Sequence, residues 1–264
     1  MTAMRMHRLN HGQRTVTRVS TPHAPWALVG ECVVGVVRRR KLASTLPAGI
    51  HRLPGPCVVT AVRYSDSPVG PYLELAVGEP ARLGARPGLC VTTMVVTTAE
   101  ARVGGRLNWG FPKEVGALRW RSHGDEREVV WEDRDIVVRG RPWGPAPPLL
   151  VPMRALQRRG DGPVVVPGRL RGRAQLARVE LEVPDGDALA PLAGPHRGVL
   201  LSGMRFVVEP ARLPAGLTST FRAPLRAPEP ALLSSPSEVG GSRPSSPSRR
   251  HHFHGERCVA VRVG

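Results

Sequence analysis

Short runs of β-branched and other apolar residues recur along the chain, and this feature constrains the fold more than any other. Several of the runs alternate apolar with polar residues, as strands with one buried face do. The chain also contains 29 glycines and 28 prolines, which separate the runs and interrupt regular structure. The runs lie at residues 27–37, 57–64, 71–77, 90–98, 128–132, 135–141, 177–183 and 198–209. The pattern predicts a mainly β protein, closed as a barrel or folded as packed sheets.

Helical periodicity is scarce and predicts only a few short helices. The candidate segments are residues 41–46, 99–107 and 153–158. The sequence shows no internal repeat.

Both ends of the chain differ in composition from the segment between them. Residues 1–21 are basic and lack hydrophobic periodicity, which predicts a flexible basic arm. Residues 217–264 are rich in Ser, Pro, Arg and Gly, and we expect a disordered tail because such a segment buries too little apolar surface to become ordered. The histidines at 251, 252 and 254 lie in this tail, and we interpret them as a chance cluster rather than a metal site. One folded domain is therefore expected over residues 22–216.

The formal net charge is +17, and a charge of this size attracts polyanions, of which nucleic acid is the usual example. The charge is spread along the chain, however, and a general preference for arginine explains it equally well. The sequence contains no zinc-finger spacing, helix-turn-helix pattern or ribonucleoprotein aromatic motif. We expect no specific nucleic-acid partner, and a protein whose basic tails bind a polyanion remains an alternative.

The lack of a secretory signal and of a long apolar segment makes the cytoplasm the default location, and the cysteine usage agrees with it. The first 20 residues contain no apolar core of a secretory signal, and no run of 18 apolar residues predicts a membrane span. The four cysteines form no CxxC motif. Cys32, Cys57 and Cys90 lie among apolar residues, which is typical of buried thiols in a reducing compartment.

The chain contains only two lysines, Lys41 and Lys113, among 38 lysine and arginine residues. Lys41 ends an arginine run, residues 38–41, which we interpret as a solvated patch. Lys113 follows Trp109 and Phe111 in the segment GRLNWGFPKEVG. Arginine stays protonated at physiological pH, whereas a lysine that has lost its proton can attack a carbonyl carbon and form an imine. The retention of Lys113 beside aromatic residues therefore suggests a nucleophile, although a chance surface lysine is the alternative.

This segment resembles the active-site segment of the acetoacetate decarboxylase family, in which the end of a helix leads into an aromatic-Pro-Lys strand. The residues that match in order are Arg106, Phe111, Pro112, Lys113 and Gly116. The resemblance extends, more weakly, over about residues 22–215. It implies a closed, cone-shaped β-barrel with a few short helices, and assembly into a homo-oligomer. It also implies Schiff-base chemistry at Lys113 on a β-keto or α-keto acid, without a cofactor or a metal.

The resemblance assigns further residues to the site. Glu74, in the segment YSDSPVGPYLELAV, matches the family's acidic active-site residue and would be a general acid or base, the alternative being a carboxylate held by an arginine. Arg106 would bind the substrate carboxylate or cap the local helix. Trp109 and Phe111 would form the walls of a substrate pocket or belong to the plain core.

The sequence departs from the family pattern at two positions. The family has a second lysine directly after the nucleophile, and this chain has Glu114. A carboxylate beside the amine would favour its charged form, but alternating side chains of a strand point to opposite faces, so Glu114 is expected to face away from Lys113. The family also has an arginine in the first core strand, which is missing at Gly30 and Glu31.

These departures leave three functions open. One is a Schiff-base lyase that acts by decarboxylation or by aldol condensation and dehydration. Another is an inactive barrel that binds a small carboxylate. The third is the polyanion-binding protein described above.

Overall fold

A computed structural model describes residues 21–38, 42, 44–160 and 162–214. These residues form twelve strands, one α-helix and two short 3-10 helices. The strands of the first half are β1 (Trp26–Val37), β2 (Ile50–Arg52), β3 (Cys57–Asp66), β4 (Tyr72–Leu83), β5 (Arg86–Val96) and β6 (Lys113–Val115). Those of the second half are β7 (Leu118–His123), β8 (Glu126–Trp131), β9 (Ile136–Trp143), β10 (Pro148–Arg159), β11 (Gly162–Glu182) and β12 (Gly194–Val208). Helix α1 spans Ala99–Trp109, and the 3-10 turns are Glu132–Arg134 and Ala190–Leu192.

Seven strands pair in a closed ring in the order β10-β5-β4-β3-β1-β12-β11 and back to β10. The ring closes because β10 pairs with β11 along its whole length and also with β5. The second pairing is parallel and consists of Ala155 opposite Leu89. Six of the seven contacts in the ring are antiparallel. The result is a barrel whose last seam is short.

A second layer covers part of the barrel wall. Strand β11 has 21 residues, so its first half pairs with β10 and its second half continues beyond the ring to pair with β9. Strands β8 and β7 follow β9. This layer packs closely on the outside of the barrel, because a Cβ atom at Gly140 of β9 would lie 2.7 Å from Val33 of β1.

Alternation along each strand divides the apolar side chains between two cores. In β1, Val33 and Val37 face the outer layer and pack with residues such as Val138 and Val179. Leu28 and Cys32 of the same strand face the barrel interior. Both faces of β1 are therefore buried, which explains why its sequence is apolar almost throughout.

The mainly β fold that the sequence predicts is confirmed, and so is the helix at residues 99–107. The helix expected at residues 153–158 is wrong, because this segment lies inside β10 and pairs with β11 at every position. Helix-forming residue types are overridden there by tertiary pairing. Residues 42 and 44–46 are not helical either. Strands β2, β7 and β10 were not expected.

Several sequence-based expectations concern residues outside the described part of the chain. The predicted arm, apart from Thr21, and the predicted tail at residues 217–264 lie there, as do the tail histidines and Lys41. Within the described residues, Cys32, Cys57 and Cys90 are buried. No helix in this part of the chain is long and apolar enough to cross a membrane.

Candidate active site

Helix α1 and the turn that follows it deliver Lys113 to the barrel. The helix begins after Thr98, whose hydroxyl accepts a hydrogen bond from the Ala101 N–H. It ends at Gly110, which has φ +74° and donates its N–H to the Arg106 carbonyl. A Cβ atom at Gly110 would lie 2.0 Å from the Arg158 carbonyl oxygen. Glycine is thus required both by the left-handed conformation and by the approach of β10.

Strand β6 then runs parallel to β5, with Lys113 opposite Met94. The Lys113 side chain is buried, and that of Glu114 is exposed. This alternation confirms that Glu114 faces away from the amine. Arg106 fixes the start of the strand, because its Nε donates a hydrogen bond of 2.7 Å to the Lys113 carbonyl.

Gly105 leaves the space that the Lys113 side chain occupies. A Cβ atom at Gly105 would lie 2.5 Å from Lys113 Cδ and 2.7 Å from Cε. Its neighbour Gly104 faces a different side chain, since a Cβ atom there would lie 2.5 Å from the Trp26 ring. The Gly-Gly pair of α1 thus allows the helix to pack on both the lysine and the interior core.

The ammonium group of Lys113 meets one carboxylate and one phenol. Its Nζ lies 2.7 Å from Glu74 Oε2 and donates to the Tyr72 hydroxyl at 3.5 Å. Nζ also lies 5.1 Å from the centre of the Tyr72 ring, within the range of a cation–π contact. Tyr64 donates to the other oxygen of Glu74 at 3.3 Å. Lys113 and Glu74 are 3% and 6% exposed, so the ion pair is almost completely withdrawn from water.

Burial and the Glu74 charge keep the neighbouring acids of this cluster protonated. Burial, followed by the charge of Glu74, raises the pKa of Tyr64 and of Tyr72 well above the ordinary value of 10.0. The same two causes raise the pKa of the Cys32 thiol. Both phenols therefore remain hydrogen-bond donors at neutral pH, and Cys32 remains a thiol.

Glu74 and Tyr64 line a cavity of about 360 Å³ inside the barrel. The other walls are mostly apolar, and they include Phe111, Met94 and Leu201. The charged residues among those that line the cavity are Glu74 and Arg154. Arg154 is exposed and donates to the Pro87 carbonyl on the outer surface. The polar chemistry of this cavity is therefore concentrated at Glu74, and Lys113, which does not itself line the cavity, is connected to it through this carboxylate.

The structure brings some of the predicted site residues together and separates others. Lys113 and Glu74 are in contact, and Phe111 lines the cavity. Trp109 does not line it, because its ring packs edge-on against Trp26 in the core and its Nε1 donates to the Glu209 carbonyl. Arg106 does not line it either. Its exposed side chain holds the Lys113 backbone from outside, which differs from the substrate contact expected from the sequence.

Sequence reasoning missed Tyr64 and Tyr72, which lie directly opposite each other on β3 and β4. A signal was available, because these are the only two tyrosines in the chain. Tyr72 precedes Glu74 by two residues, so a strand places both side chains on one face. Within the described residues, no group of three His, Cys, Asp or Glu could hold a metal ion.

A family model described as acetoacetate decarboxylase matches residues 17–160, more than half of the chain. The matched segment contains Glu74, α1 and Lys113. No curated protein matches the chain in sequence.

Solved structures of similar fold come from the same group of proteins. One is the enduracididine biosynthesis enzyme MppR with HEPES buffer bound, at 17% identity and a TM-score of 0.58, covering 75% of this chain and 90% of that one. MppR complexed with pyruvate is also similar, at 17% identity and a TM-score of 0.56, covering 76% and 93%. A third is acetoacetate decarboxylase from Legionella pneumophila, at 18% identity and a TM-score of 0.51, covering 74% and 88%. At these identities the likeness establishes the fold.

Proposed function

The chain belongs to the acetoacetate decarboxylase family, and on that premise we propose that it is a lyase that forms a Schiff base between Lys113 and a keto acid. The observation that carries this proposal is the 2.7 Å contact between Lys113 Nζ and Glu74 Oε2, in which Glu74 belongs to the wall of an apolar cavity and Lys113 lies directly behind it. An amine, a proton acceptor and a water-poor cavity are the parts that imine formation needs.

The first step is a proton transfer within the pair. Glu74 accepts a proton from the Lys113 ammonium group, which leaves a neutral amine and a neutral carboxylic acid. The transfer leaves the net charge of the buried pair unchanged, so it needs no ion from outside the cluster. The amine nitrogen then attacks the ketone carbon of the substrate, and the Glu74 proton passes to the oxygen that develops there.

Loss of water gives a protonated imine, which withdraws electrons from the neighbouring carbons. With a β-keto acid, the bond to the carboxylate breaks, carbon dioxide leaves and its electron pair forms an enamine. Because Glu74 gave up its proton in the first step, a water molecule supplies the proton that the enamine carbon takes up, and hydrolysis releases a ketone and restores Lys113. In these reaction steps, the imine nitrogen itself takes up the electron pair that is released when carbon dioxide leaves.

With an α-keto acid such as pyruvate, the same imine supports a different outcome. The Glu74 carboxylate removes a proton from the carbon next to the imine, and the resulting enamine attacks an aldehyde. Glu74 returns the proton to the aldehyde oxygen, the aldol product loses water, and hydrolysis of the imine releases the condensation product and restores Lys113. A likeness in fold to MppR, which is known in complex with pyruvate and with the condensation product of pyruvate and imidazole 4-carboxaldehyde, supports including this outcome.

The phenols of Tyr64 and Tyr72 have positioning roles in this proposal. Tyr64 holds one oxygen of Glu74, so the other oxygen is directed at the amine. The hydroxyl of Tyr72 lies beside Nζ and can donate to the hydroxyl group that leaves as water. Because the raised pKa keeps both phenols protonated, these contacts persist at neutral pH.

A binding protein for a small carboxylate is the second candidate function. The ion pair with Glu74 favours it, because the Lys113 ammonium group and the Tyr72 hydroxyl are hydrogen-bond donors that a carboxylate can accept from without forming an imine. Such a barrel would bind keto acids reversibly and release neither carbon dioxide nor a condensation product. Assembly into a homo-oligomer, which the family resemblance implies, and location in the cytoplasm, the default from the sequence, are further parts of the proposal.

A panel of keto acids distinguishes the candidates. The protein is incubated with acetoacetate, longer β-keto acids, and pyruvate with and without an aldehyde, while carbon dioxide and condensation products are measured. The lyase proposal expects turnover of at least one substrate and none with Lys113→Arg, which keeps the charge but cannot form an imine. Stabilisation by keto acids without turnover on any of them would favour the binding protein.

A further inference from the structure

Beyond the cavity, the interior face of the barrel continues outward across four strands. Two parallel rows of side chains cross β1, β12, β11 and β9 in register there. The inner row is Val34, Val199, Leu176 and Trp143, and the outer row is Val36, Arg197, Arg178 and Arg141. Because residues two apart on a strand share a face, both rows lie on one surface.

The inner row is apolar and continuous with the cavity. Val34 and Val199 line the cavity, and Leu176 is the direct strand partner of Val199. Leu176 and Trp143 are 51% and 57% exposed. An apolar surface therefore leads from the cavity to the outside instead of ending at its mouth.

The outer row places three arginines side by side. Arg178 is the direct partner of Arg141 on one side and of Arg197 on the other, so neighbouring Cα atoms are about 5 Å apart. All three are exposed, and none forms an ion pair with a described residue. Like charges that face each other across strands repel, so a bound anion would remove an unfavourable interaction.

The other charged groups of this surface leave the row with an excess of positive charge. The three arginines of the outer row line a surface groove. Its other charged residues are Arg38, Arg139, Glu126 and Glu180. Arg139 is already paired with Glu128 and Glu182. The remaining charges of the groove are therefore four guanidinium groups, those of Arg38 and the outer row, and two carboxylates, those of Glu126 and Glu180.

We propose that this surface binds the far end of the substrate, which we infer to be a keto acid with an extended apolar body and a second anionic group, a phosphate or a carboxylate. The inference rests on the proposed function. The apolar row receives the body of the molecule, and the guanidinium groups of Arg178 and Arg197 bind the anionic end, as arginine does through paired hydrogen bonds.

The register of the barrel gives a minimum length for such a molecule. Leu201 of β12 lies in line with Cys32, Val62 and Glu74 across the sheet. Arg197 lies four residues further along β12, a distance of about 13 Å at the rise of a strand. A small keto acid such as pyruvate would leave the row unused, whereas a longer molecule would fill it.

Octyl phosphate and octan-1-ol are suitable probes, because they share an apolar body and differ in charge. Binding is measured by titration calorimetry below the micelle concentration and at low salt. The test variant is Arg178→Gln with Arg197→Gln. The matched control is Arg171→Gln with Arg205→Gln, which removes another pair of exposed, directly opposed arginines from the same two strands. Thermal unfolding shows that both variants are folded.

The proposal expects octyl phosphate to bind the natural protein about tenfold or more tightly than octan-1-ol, as charge-assisted hydrogen bonds would give. The test variant should lose this preference and the control should keep it. Equal loss in both variants, or retention in the test variant, would overturn the site. A third result would also overturn it, namely that phosphatidylglycerol vesicles need Arg178 and Arg197 for binding and octyl phosphate does not. The surface would then be a membrane-binding surface. Borohydride trapping of pyruvate on Lys113 of the natural protein is measured separately. A failure of Schiff-base chemistry can therefore be distinguished from a failure of this binding surface.

Discussion

Lys113 Nζ lies 2.7 Å from Oε2 of Glu74, a residue of the cavity wall, and each is the other's ionic partner. Both side chains are almost completely shielded from solvent. Removing one partner from a buried pair leaves an uncompensated charge, which commonly costs about 3–5 kcal/mol. The pair is therefore expected to be essential for chemistry and also relevant to stability, and a test must separate the two effects.

Replacing Glu74 with glutamine should abolish imine formation while allowing the protein to fold. Glutamine keeps the shape of the side chain but cannot accept the ammonium proton. We expect the rate at which borohydride traps a keto acid on the protein to fall by about 100-fold or more, in line with the loss of a general acid–base group.

Glu79→Gln is the matched control for this prediction. Glu79 lies on the same strand, is fully buried and pairs with Arg52 at 2.9 Å. This variant should lose stability but keep its trapping rate once folded. If both variants lost trapping equally, Glu74 would have a structural role only.

Replacing Gly105 with alanine should displace the lysine. The new methyl group would lie 2.5 Å from Lys113 Cδ, so the side chain must move away from Glu74 and Tyr72. Alanine usually stabilises a helix interior relative to glycine by about 1 kcal/mol, and the clash works against that gain. We expect trapping at Lys113 to fall by about tenfold or more, since small misplacements of a reacting group are costly.

Gly104→Ala provides the comparison, because its methyl group would meet the Trp26 ring instead. The Gly104 variant should be destabilised without a specific loss of trapping. Unfolding midpoints and trapping rates measured on both proteins separate the two outcomes. A Gly105 variant that trapped keto acids at the normal rate would show that the lysine does not need its present position.

Tyr72→Phe should slow imine formation without changing how much adduct finally forms. The variant removes the hydroxyl beside Nζ and keeps the ring. A slowing of about 10-fold to 100-fold is expected for the loss of one positioned proton donor. Tyr64→Phe, which removes a contact with Glu74 but none with the lysine, should slow the reaction less.

The pH dependence gives this prediction a further check. Burial is the larger cause of the raised pKa of Tyr72, and the Glu74 charge is the smaller one. The phenol therefore stays protonated from about pH 6 to about pH 9, an interval that lies well below its pKa. The ratio of the natural to the variant rate should therefore be constant over that interval. A ratio that changed steeply with pH would mean that the phenol ionises during the reaction.

Part of this arrangement could be predicted from the sequence and part could not. Alternating apolar residues identified most of the barrel strands, and Lys113 could be singled out because arginine supplies nearly all the other positive charge. That Glu114 points away from Lys113 followed from strand alternation alone. These features depend on the local pattern, which a sequence displays directly.

The features that could not be predicted depend on pairing between distant segments. Residues 153–158 contain helix-forming types, yet the strand they form closes the barrel by contacts with β5 and β11. The sequence left open whether Arg106 binds substrate or caps the helix, and whether Trp109 is a pocket wall or part of the core. The direction in which α1 packs places Arg106 outside the barrel and Trp109 in its core. The roles of Tyr64 and Tyr72 became visible only when β3 and β4 were paired in register.

Glu128 lies in the second layer, away from the cavity, and its ion pairs give a prediction about the stability of that layer. It accepts hydrogen bonds from Arg139 at 2.6 Å and from Arg121 at 3.1 Å. The bond from Arg139 lowers the pKa of Glu128 below its ordinary value of 4.5, although burial opposes this effect. A lowered pKa means that the unfolded chain binds this proton more tightly than the native protein does. Glu128 therefore stabilises the fold above about pH 4.5, and this contribution disappears as the pH falls through the native value.

Glu128→Gln should accordingly reduce the free energy of unfolding by about 1–2 kcal/mol at pH 7. The difference from the natural protein should shrink as the pH is lowered towards 3. Glu126→Gln is the control, because Glu126 lies on the same strand and forms no ion pair with a described residue. Urea unfolding at several pH values measures the effect, and a difference that stayed constant with pH would contradict the role assigned to the carboxylate.

The central claim, that Lys113 forms an imine with a keto acid, is tested most directly by borohydride trapping followed by mass spectrometry of the intact and digested protein. The account predicts one reduced keto-acid adduct per chain, located on Lys113 and absent from Lys113→Arg. Lys41, the other lysine of the chain, provides an internal comparison and should remain unmodified. No adduct with any member of a broad keto-acid panel, or equal labelling of Lys41 and Lys113, would contradict the account.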